Sequence, residues 1–174
     1  MNMKNSEIHL EKVNYGNYGE LIDLEVKESQ KNFVASNMYS LAEAYAVVAS
    51  EGYVMPFGIY LEDKAVGFLM IGYYPDLDYA RKDLETDEIP EYVVTSYSVW
   101  RFMIDQEYQG KGYGKEAFQL ALEYIRTFPC GEADYCWLSY EPENEVARKL
   151  YASFGFQEMA MPEGWDEVPA VLKL

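Results

Sequence analysis

The chain has 174 residues, 49% of them hydrophobic, which suits a single domain over 1–174 with a full core and is short for two. A formal net charge of −16 would repel the phosphates of nucleic acid and attract cationic ligands, although acidity of this size also serves solubility alone. No stretch approaches the roughly 20 apolar residues of a membrane span, and MNMKNSEIHLEK lacks the apolar region of a signal peptide, so a cytoplasmic protein with no membrane and no nucleic-acid partner is expected.

Ile8 to Val13 alternates like a first strand, and Tyr18 to Ser29 carries Leu21, Ile22, Leu24, Glu25 and Glu28 at helical spacing. Ser40-Leu41-Ala42-Glu43 has the form of a capping box, opening a second helix that runs to about Ser50 and is ended by Gly52. Val54 to Leu61 and Ala65 to Tyr73 read as two strands of a hairpin turned by Glu62-Asp63-Lys64. Tyr74 to Glu91 is a polar excursion with helical character over Ala80 to Leu84, and Tyr92 to Ile104 is a long strand. A helix follows over Lys115 to Phe128, then a strand over Ala133 to Tyr140 and a helix over Asn144 to Phe154. Phe156 to Met161 and Ala170 to Leu174 are placed to complete the sheet. The order predicts an α/β (α+β) fold, a mixed sheet of about six to seven strands with helices on both faces.

Cys130 and Cys136 are too few, and too far from any histidine, to suggest a disulfide framework or a zinc site, so both are expected reduced, Cys136 in a strand, with no metal. The lone histidine, His9, lies in the first strand and is read as structural.

Chemistry concentrates in YQGKGYGKEAF, Tyr108 to Phe118. A P-loop, G-x-x-x-x-G-K-[ST], would place Gln109 at the first glycine and Glu116 at the metal-binding hydroxyl, so it does not fit. A dinucleotide fingerprint, G-x-G-x-x-G, would need glycine where Lys115 stands. What remains is a backbone that can turn its N–H groups together in front of a helix N-terminus, which favours a phosphate-bearing ligand.

The hexapeptide Gln109-Gly110-Lys111-Gly112-Tyr113-Gly114 resembles the Q/R-x-x-G-x-G/A loop of the GNAT superfamily of N-acetyltransferases. Asn144, Ala147, Leu150, Tyr151, Gly155 and Phe156 are similar to its second signature, N-x-x-A-x-x-L-Y-x-x-x-G-F, in the right order and at the right separation. VWRFMIDQEYQGKGYGK, with FVASNMYSLAEA upstream, further resembles bacterial spermine/spermidine (diamine) acetyltransferases. The resemblance implies acetyl-CoA as cosubstrate, its pyrophosphate held by amides from about Gly110 to Lys115. It also implies that the pantetheine arm lies between two parallel strands that splay apart, against the backbone of Phe102, Met103 and Ile104. Asn144 either bonds pantetheine or caps its helix.

An ammonium must lose a proton before it can attack a thioester, and the departing thiolate should gain one. The resemblance puts Tyr151 in the position of general acid, and a phenol is still protonated at neutral pH. Counting back from Gln109, the strand glutamate of related animal enzymes is replaced by Trp100. Three routes for proton removal stand open: another carboxylate such as Glu28 or Glu43, a water held by Ser96 or Ser98, or no dedicated base. Trp100 is read as packing, or as a wall for a cation.

Seven carboxylates between Asp76 and Glu91 face only Arg81 and Lys82, which reads either as the rim of a site for a small cationic amine or as a solvated loop. The implied functions are polyamine acetylation, acetylation of another amine such as an aminoglycoside, an amino acid or a protein N-terminus, or CoA binding without turnover. Homodimers are common among such enzymes.

Overall fold

The longest strand, Lys64–Tyr74, is buried along all but its first residue, because helices cover it on both faces. The structure is a computed structural model and describes residues 8–174; residues 1–7, the first part of the segment expected above to lack a signal peptide, lie outside that range.

In chain order the strands are β1 (Ile8–Lys12), β2 (Val54–Leu61), β3 (Lys64–Tyr74), β4 (Ser96–Ile104), β5 (Tyr135–Tyr140), β6 (Gln157–Glu158) and β7 (Val168–Lys173). The helices are α1 (Tyr18–Ile22), α2 (Asn37–Ala49), α3 (Leu77–Leu84), α4 (Tyr113–Ile125) and α5 (Glu145–Ser153). One seven-stranded sheet has the order β1-β2-β3-β4-β5-β7-β6. Only β4 and β5 are parallel; the other pairs are antiparallel. The mixed α/β architecture expected from the element order is therefore present.

On α4, Ala117, Phe118, Ala121, Leu122 and Ile125 recur at helical spacing and are buried. They pack with Leu69, Ile71 and Tyr73 of β3 in the main core. On the opposite face Phe68 and Met70 of β3 meet Ala44 of α2, and Tyr74 meets Ala80 of α3 and Trp137 of β5. Helices α2 and α3 thus stand on one side of the sheet and α4 on the other.

Several boundaries differ from the sequence reading. Helix α1 stops at Ile22, with only a separate 3-10 turn at Glu28–Gln30, so the helix expected to Ser29 is not continuous. The capping box at Ser40 is not used: Ser36 caps α2 by accepting from the Tyr39 amide at 3.2 Å, and Ser40 lies inside the helix, its hydroxyl donating to the Ser36 carbonyl at 3.0 Å. Asn37 holds that start in place by donating to the Leu21 carbonyl at 2.7 Å. Helix α3 begins at Leu77, before the expected Ala80, because Asp76 accepts from the Tyr79 amide at 2.8 Å. Strand β4 begins at Ser96, not Tyr92, since Glu91–Val93 is a 3-10 turn and Thr95 has φ +53. Strand β5 starts at Tyr135, β6 is two residues long, and β7 starts at Val168.

His9 hydrogen-bonds Glu11 at 3.0 Å and stacks on Tyr60, in keeping with a structural role. Both cysteines are free thiols; burial pushes Cys136, within β5, up to about 12.

Candidate active site

The parallel pair opens partway along its length. Ser96, Tyr97 and Ser98 of β4 pair with Tyr135, Cys136 and Trp137 of β5, and there the ladder ends. Beyond it β4 runs on to Ile104, paired only with β3, and β5 runs on to Tyr140, paired only with β7. Each strand therefore turns an open backbone edge to the gap, where an extended ligand can add hydrogen bonds. Phe102, Met103 and Ile104 all lie on this edge. Their side chains are packing: Phe102 meets Phe118 edge to face at 5.3 Å, and Met103 belongs to the α2 cluster.

At the end of β4 the chain enters the glycine loop. Gly110 and Gly112 take φ of +74 and +90, which glycine adopts without penalty, and an added Cβ at either would meet nothing within 4 Å. Among the described residues, the backbone amides of 110–114 find no backbone or side-chain acceptor. Gly112 is also the N-cap of α4, so these amides and the positive end of the helix point out together. The loop thus has the free donors, the open space and the field that a pyrophosphate needs.

The other residues predicted for the loop divide. The Gln109 side chain is spent inside the protein, donating to the Ile104 carbonyl and to Gln30, each at 2.9 Å, which ties the loop to the end of β4. Lys111 donates to the Glu107 carbonyl at 2.9 Å and lies over the Tyr108 ring. Lys115, Gly110 and Gly114 line the cleft, whereas Tyr113 opens α4 and is not among the lining residues. Asn144 caps α5 by accepting from the Ala147 amide at 3.1 Å, and it too lines the cleft.

The cleft has a volume of about 1030 Å³ and reaches from the glycine loop through the strand gap to the α2 and α3 side of the sheet. That is at the upper end of small-molecule sites and large enough for two substrates at once. Tyr151 of α5 reaches it with its ring 5.0 Å from that of Phe118, and its hydroxyl makes no hydrogen bond among the described residues. Burial, and after it the charge of Glu167, raises the Tyr151 phenol above its ordinary value. The phenol therefore keeps its proton throughout the physiological range.

At the far end, β4 carries a bulge: Met70 faces Arg101 and Ile71 faces Val99, so Trp100 is the extra residue. Its indole sits on Gly72, where a Cβ would come within 2.5 Å of it. Of the candidate bases, Glu28 pairs with Lys31 at 2.7 Å and does not line the cleft. Glu43 lines it but is bound to Arg101 at 2.9 Å. Ser96 is buried and donates to the Val93 carbonyl, while Ser98 lines the cleft. Of the seven excursion carboxylates only Asp83 lines the cleft, accepting from the Tyr74 hydroxyl at 2.8 Å; Asp76 is a helix cap and Asp78 pairs with Arg81. Burial raises the Asp83 carboxyl. Sequence reasoning missed Glu167, which precedes β7, lines the cleft and accepts a hydrogen bond from the Ser139 hydroxyl. Its only local signal was an acidic residue next to the last strand.

A splayed parallel pair, a glycine loop at a helix N-terminus and a phenol over the gap together define a CoA-dependent acyltransferase. The chain belongs to the acetyltransferase (GNAT) family, whose model matches residues 18–156. It is similar to the spermine/spermidine N(1)-acetyltransferase of Bacillus subtilis, 31% identical over 153 residues that cover 86% of this chain and 88% of the relative. Among solved structures it is similar to a spermidine N-acetyltransferase from Vibrio cholerae in complex with CoA and spermine, with a TM-score of 0.65, 19% identity, and 98% and 96% of the two chains covered. An aminoglycoside acetyltransferase, AAC(6')-Ib, in complex with coenzyme A has a TM-score of 0.72 and 16% identity, covering 95% and 94%. The protein is an acetyl-CoA-dependent N-acetyltransferase. Among the described residues no group of His, Cys, Asp and Glu could hold a metal ion, and no helix is long and apolar enough to cross a membrane.

Proposed function

We propose that this enzyme acetylates a primary amine of a polyamine such as spermidine or spermine, by direct attack of the amine on the thioester with Tyr151 as general acid. The observation that carries the acceptor is electrostatic. Asp83 and Glu167 line the cleft and, among the described residues, neither has an ion-pair partner, while Tyr74, Trp100 and Trp137 line it with aromatic surface. Unpaired carboxylates beside aromatic faces suit a chain of ammonium groups joined by methylenes. The curated relatives named for spermine and spermidine support the same reading.

Acetyl-CoA supplies an activated acetyl group whose carbonyl carbon accepts the amine. The amides of the glycine loop are free to bind its diphosphate, the open edge of β4 to align its pantetheine, and Tyr151 to protonate the leaving sulfur. Thiol release should be measured from acetyl-CoA with spermidine, a monoamine, an aminoglycoside and a peptide N-terminus. The reading expects spermidine to give the highest kcat/KM. Raising salt to about 0.5 M, which shortens the screening length from ~10 to ~4 Å, should raise the KM for spermidine severalfold and that for the monoamine less. A preference for any other amine, or equal salt responses, would refute the polyamine assignment.

A further inference from the structure

Trp100 stands where the resemblance places a strand glutamate in related animal enzymes, and of the open routes for proton removal another carboxylate is the one the cleft supplies. Two lie in the cleft, and an aromatic wall joins them. Asp83 accepts from Tyr74, whose ring lies 5.5 Å from that of Trp137; Trp137 lies 5.8 Å from Trp165, two residues before Glu167. Trp137 is 5% exposed and lines the cleft, and its indole N–H has no hydrogen-bond partner among the described residues. At one end of this wall, Tyr140 of β5 faces Val168 of β7, which carries Glu167 in beside Ser139, past the end of the β4–β5 ladder. Glu167 is close enough to Tyr151 for its charge to bear on the phenol. At the other end Asp83 is open to the cleft on the last turn of α3.

We propose that Glu167 receives the reacting ammonium and takes its proton, while Asp83 holds the second positive charge of the same acceptor, whose methylene chain crosses Trp137 and Tyr74. This rests on the amine-acetylating reading above and assigns its acceptor subsites. The proton leaves the ammonium for the Glu167 carboxylate, and the freed nitrogen pair forms the C–N bond. The C–S bond breaks, and the sulfur keeps the electron pair and takes the Tyr151 proton. The second nitrogen proton, lost as the amide forms, returns to Tyr151 through water, and Glu167 discharges its own to solvent.

The two carboxylate-side events are coupled. Burial is the larger cause that holds the proton on Tyr151, and the charge of Glu167 adds to it; that added part falls away once Glu167 has taken the proton of the amine, which favours proton transfer from Tyr151 when the acceptor is in place. The groups facing Glu167 are Ser139 of β5, Tyr151 of α5, and Glu141 and Asp166 beside it. Asp83 faces Tyr74 of β3 and Tyr79 of its own helix. The Glu43–Arg101 pair stands farther along the cleft.

The test is steady-state kinetics of Glu167→Gln, Glu167→Asp and Asp83→Asn with spermidine and with propylamine at saturating acetyl-CoA. The amide replacements are isosteric and keep an acceptor for Ser139 and Tyr74, and circular dichroism checks their folding. Glu167→Gln should lower kcat by about 10²-fold or more for both amines, with the acetyl-CoA KM unmoved. Glu167→Asp, which keeps a carboxylate, should recover part of that kcat, a rescue that a merely structural role would not give. Asp83→Asn should raise the KM for spermidine about tenfold and that for propylamine less. Loss confined to KM in Glu167→Gln, no recovery of kcat in Glu167→Asp, or equal effects of Asp83→Asn on the two amines would overturn the assignment. If the wild type acetylates propylamine but not spermidine, the polyamine reading and the Asp83 subsite fall, and the Glu167 arm is still decided on propylamine.

Discussion

Replacing Gly112 by valine separates loop geometry from fold stability. Gly112 has φ +90 and ψ −10, a conformation that a β-branched residue holds only at a cost of about 1–3 kcal/mol. No heavy atom lies within 4 Å of an ideal Cβ there, so the substitution adds local strain without a clash, and the sheet and α4 should still form. The ligand meets a different situation. If the backbone keeps its shape, the valine methyls project into the open space at the turn; if it relaxes to negative φ, the free amides of 110–114 no longer converge. Each charge-assisted hydrogen bond is worth about 1.5–3 kcal/mol, and losing two would weaken CoA binding by roughly 10²- to 10⁴-fold. Calorimetric titration with CoA measures this, beside a thermal melt. Gly164→Val is the control, since Gly164 also has positive φ and open space around it but lies outside the glycine loop. A folded Gly112→Val protein that binds CoA within about threefold of wild type would remove the loop from the pyrophosphate site.

Tyr151→Phe keeps the ring packed on Phe118 and removes only the hydroxyl, so kcat should fall by about 10²-fold with acetyl-CoA affinity unchanged. Near-normal turnover where chemistry limits the rate would leave Tyr151 a packing residue. Gly72→Ala places a methyl 2.5 Å from the Trp100 indole, an overpacking worth about 1–3 kcal/mol. Its melting temperature should drop and its acceptor KM change, while CoA affinity holds. Trimming Trp100 to alanine in the same chain should recover part of the lost stability, and failure to do so would place the strain elsewhere.

The parts of the fold that were legible in the sequence are those whose cause is local. The helix α4 stripe, the β2–β3 hairpin and the glycine loop each follow from spacing within one segment. The start of α2 was not legible, because Ser40-Leu41-Ala42-Glu43 is the better local cap. Tertiary contacts decide against it: Asn37 is bound to Leu21, and Glu43 is drawn off to Arg101 on β4. The run from Tyr92 to Ile104 likewise looks like one strand. The 3-10 turn at Glu91–Val93 and the left-handed Thr95 interrupt it, and the buried Ser96 bonds back to Val93.

The same contrast separates the two halves of the active site. The donor half is built from backbone: unpaired edges where β4 leaves β5, and loop amides in front of α4. Backbone geometry of this kind needs glycines at fixed offsets, and fixed offsets leave a sequence signature. The acceptor half, as proposed, is built from side chains on separate elements. Asp83 comes from a helix inserted between β3 and β4, Trp100 from a bulge that exists only in the β3–β4 register, and Glu167 from a segment that reaches the cleft because β7 returns alongside β5. No spacing along the chain links these positions, and the acidic run at 76–91 drew attention to seven carboxylates of which one lines the cleft. On the proposed assignment the base stands on an element next to the strand, where its presence disturbs no motif that holds the donor. In this fold a change of acceptor chemistry need not alter how acetyl-CoA is bound.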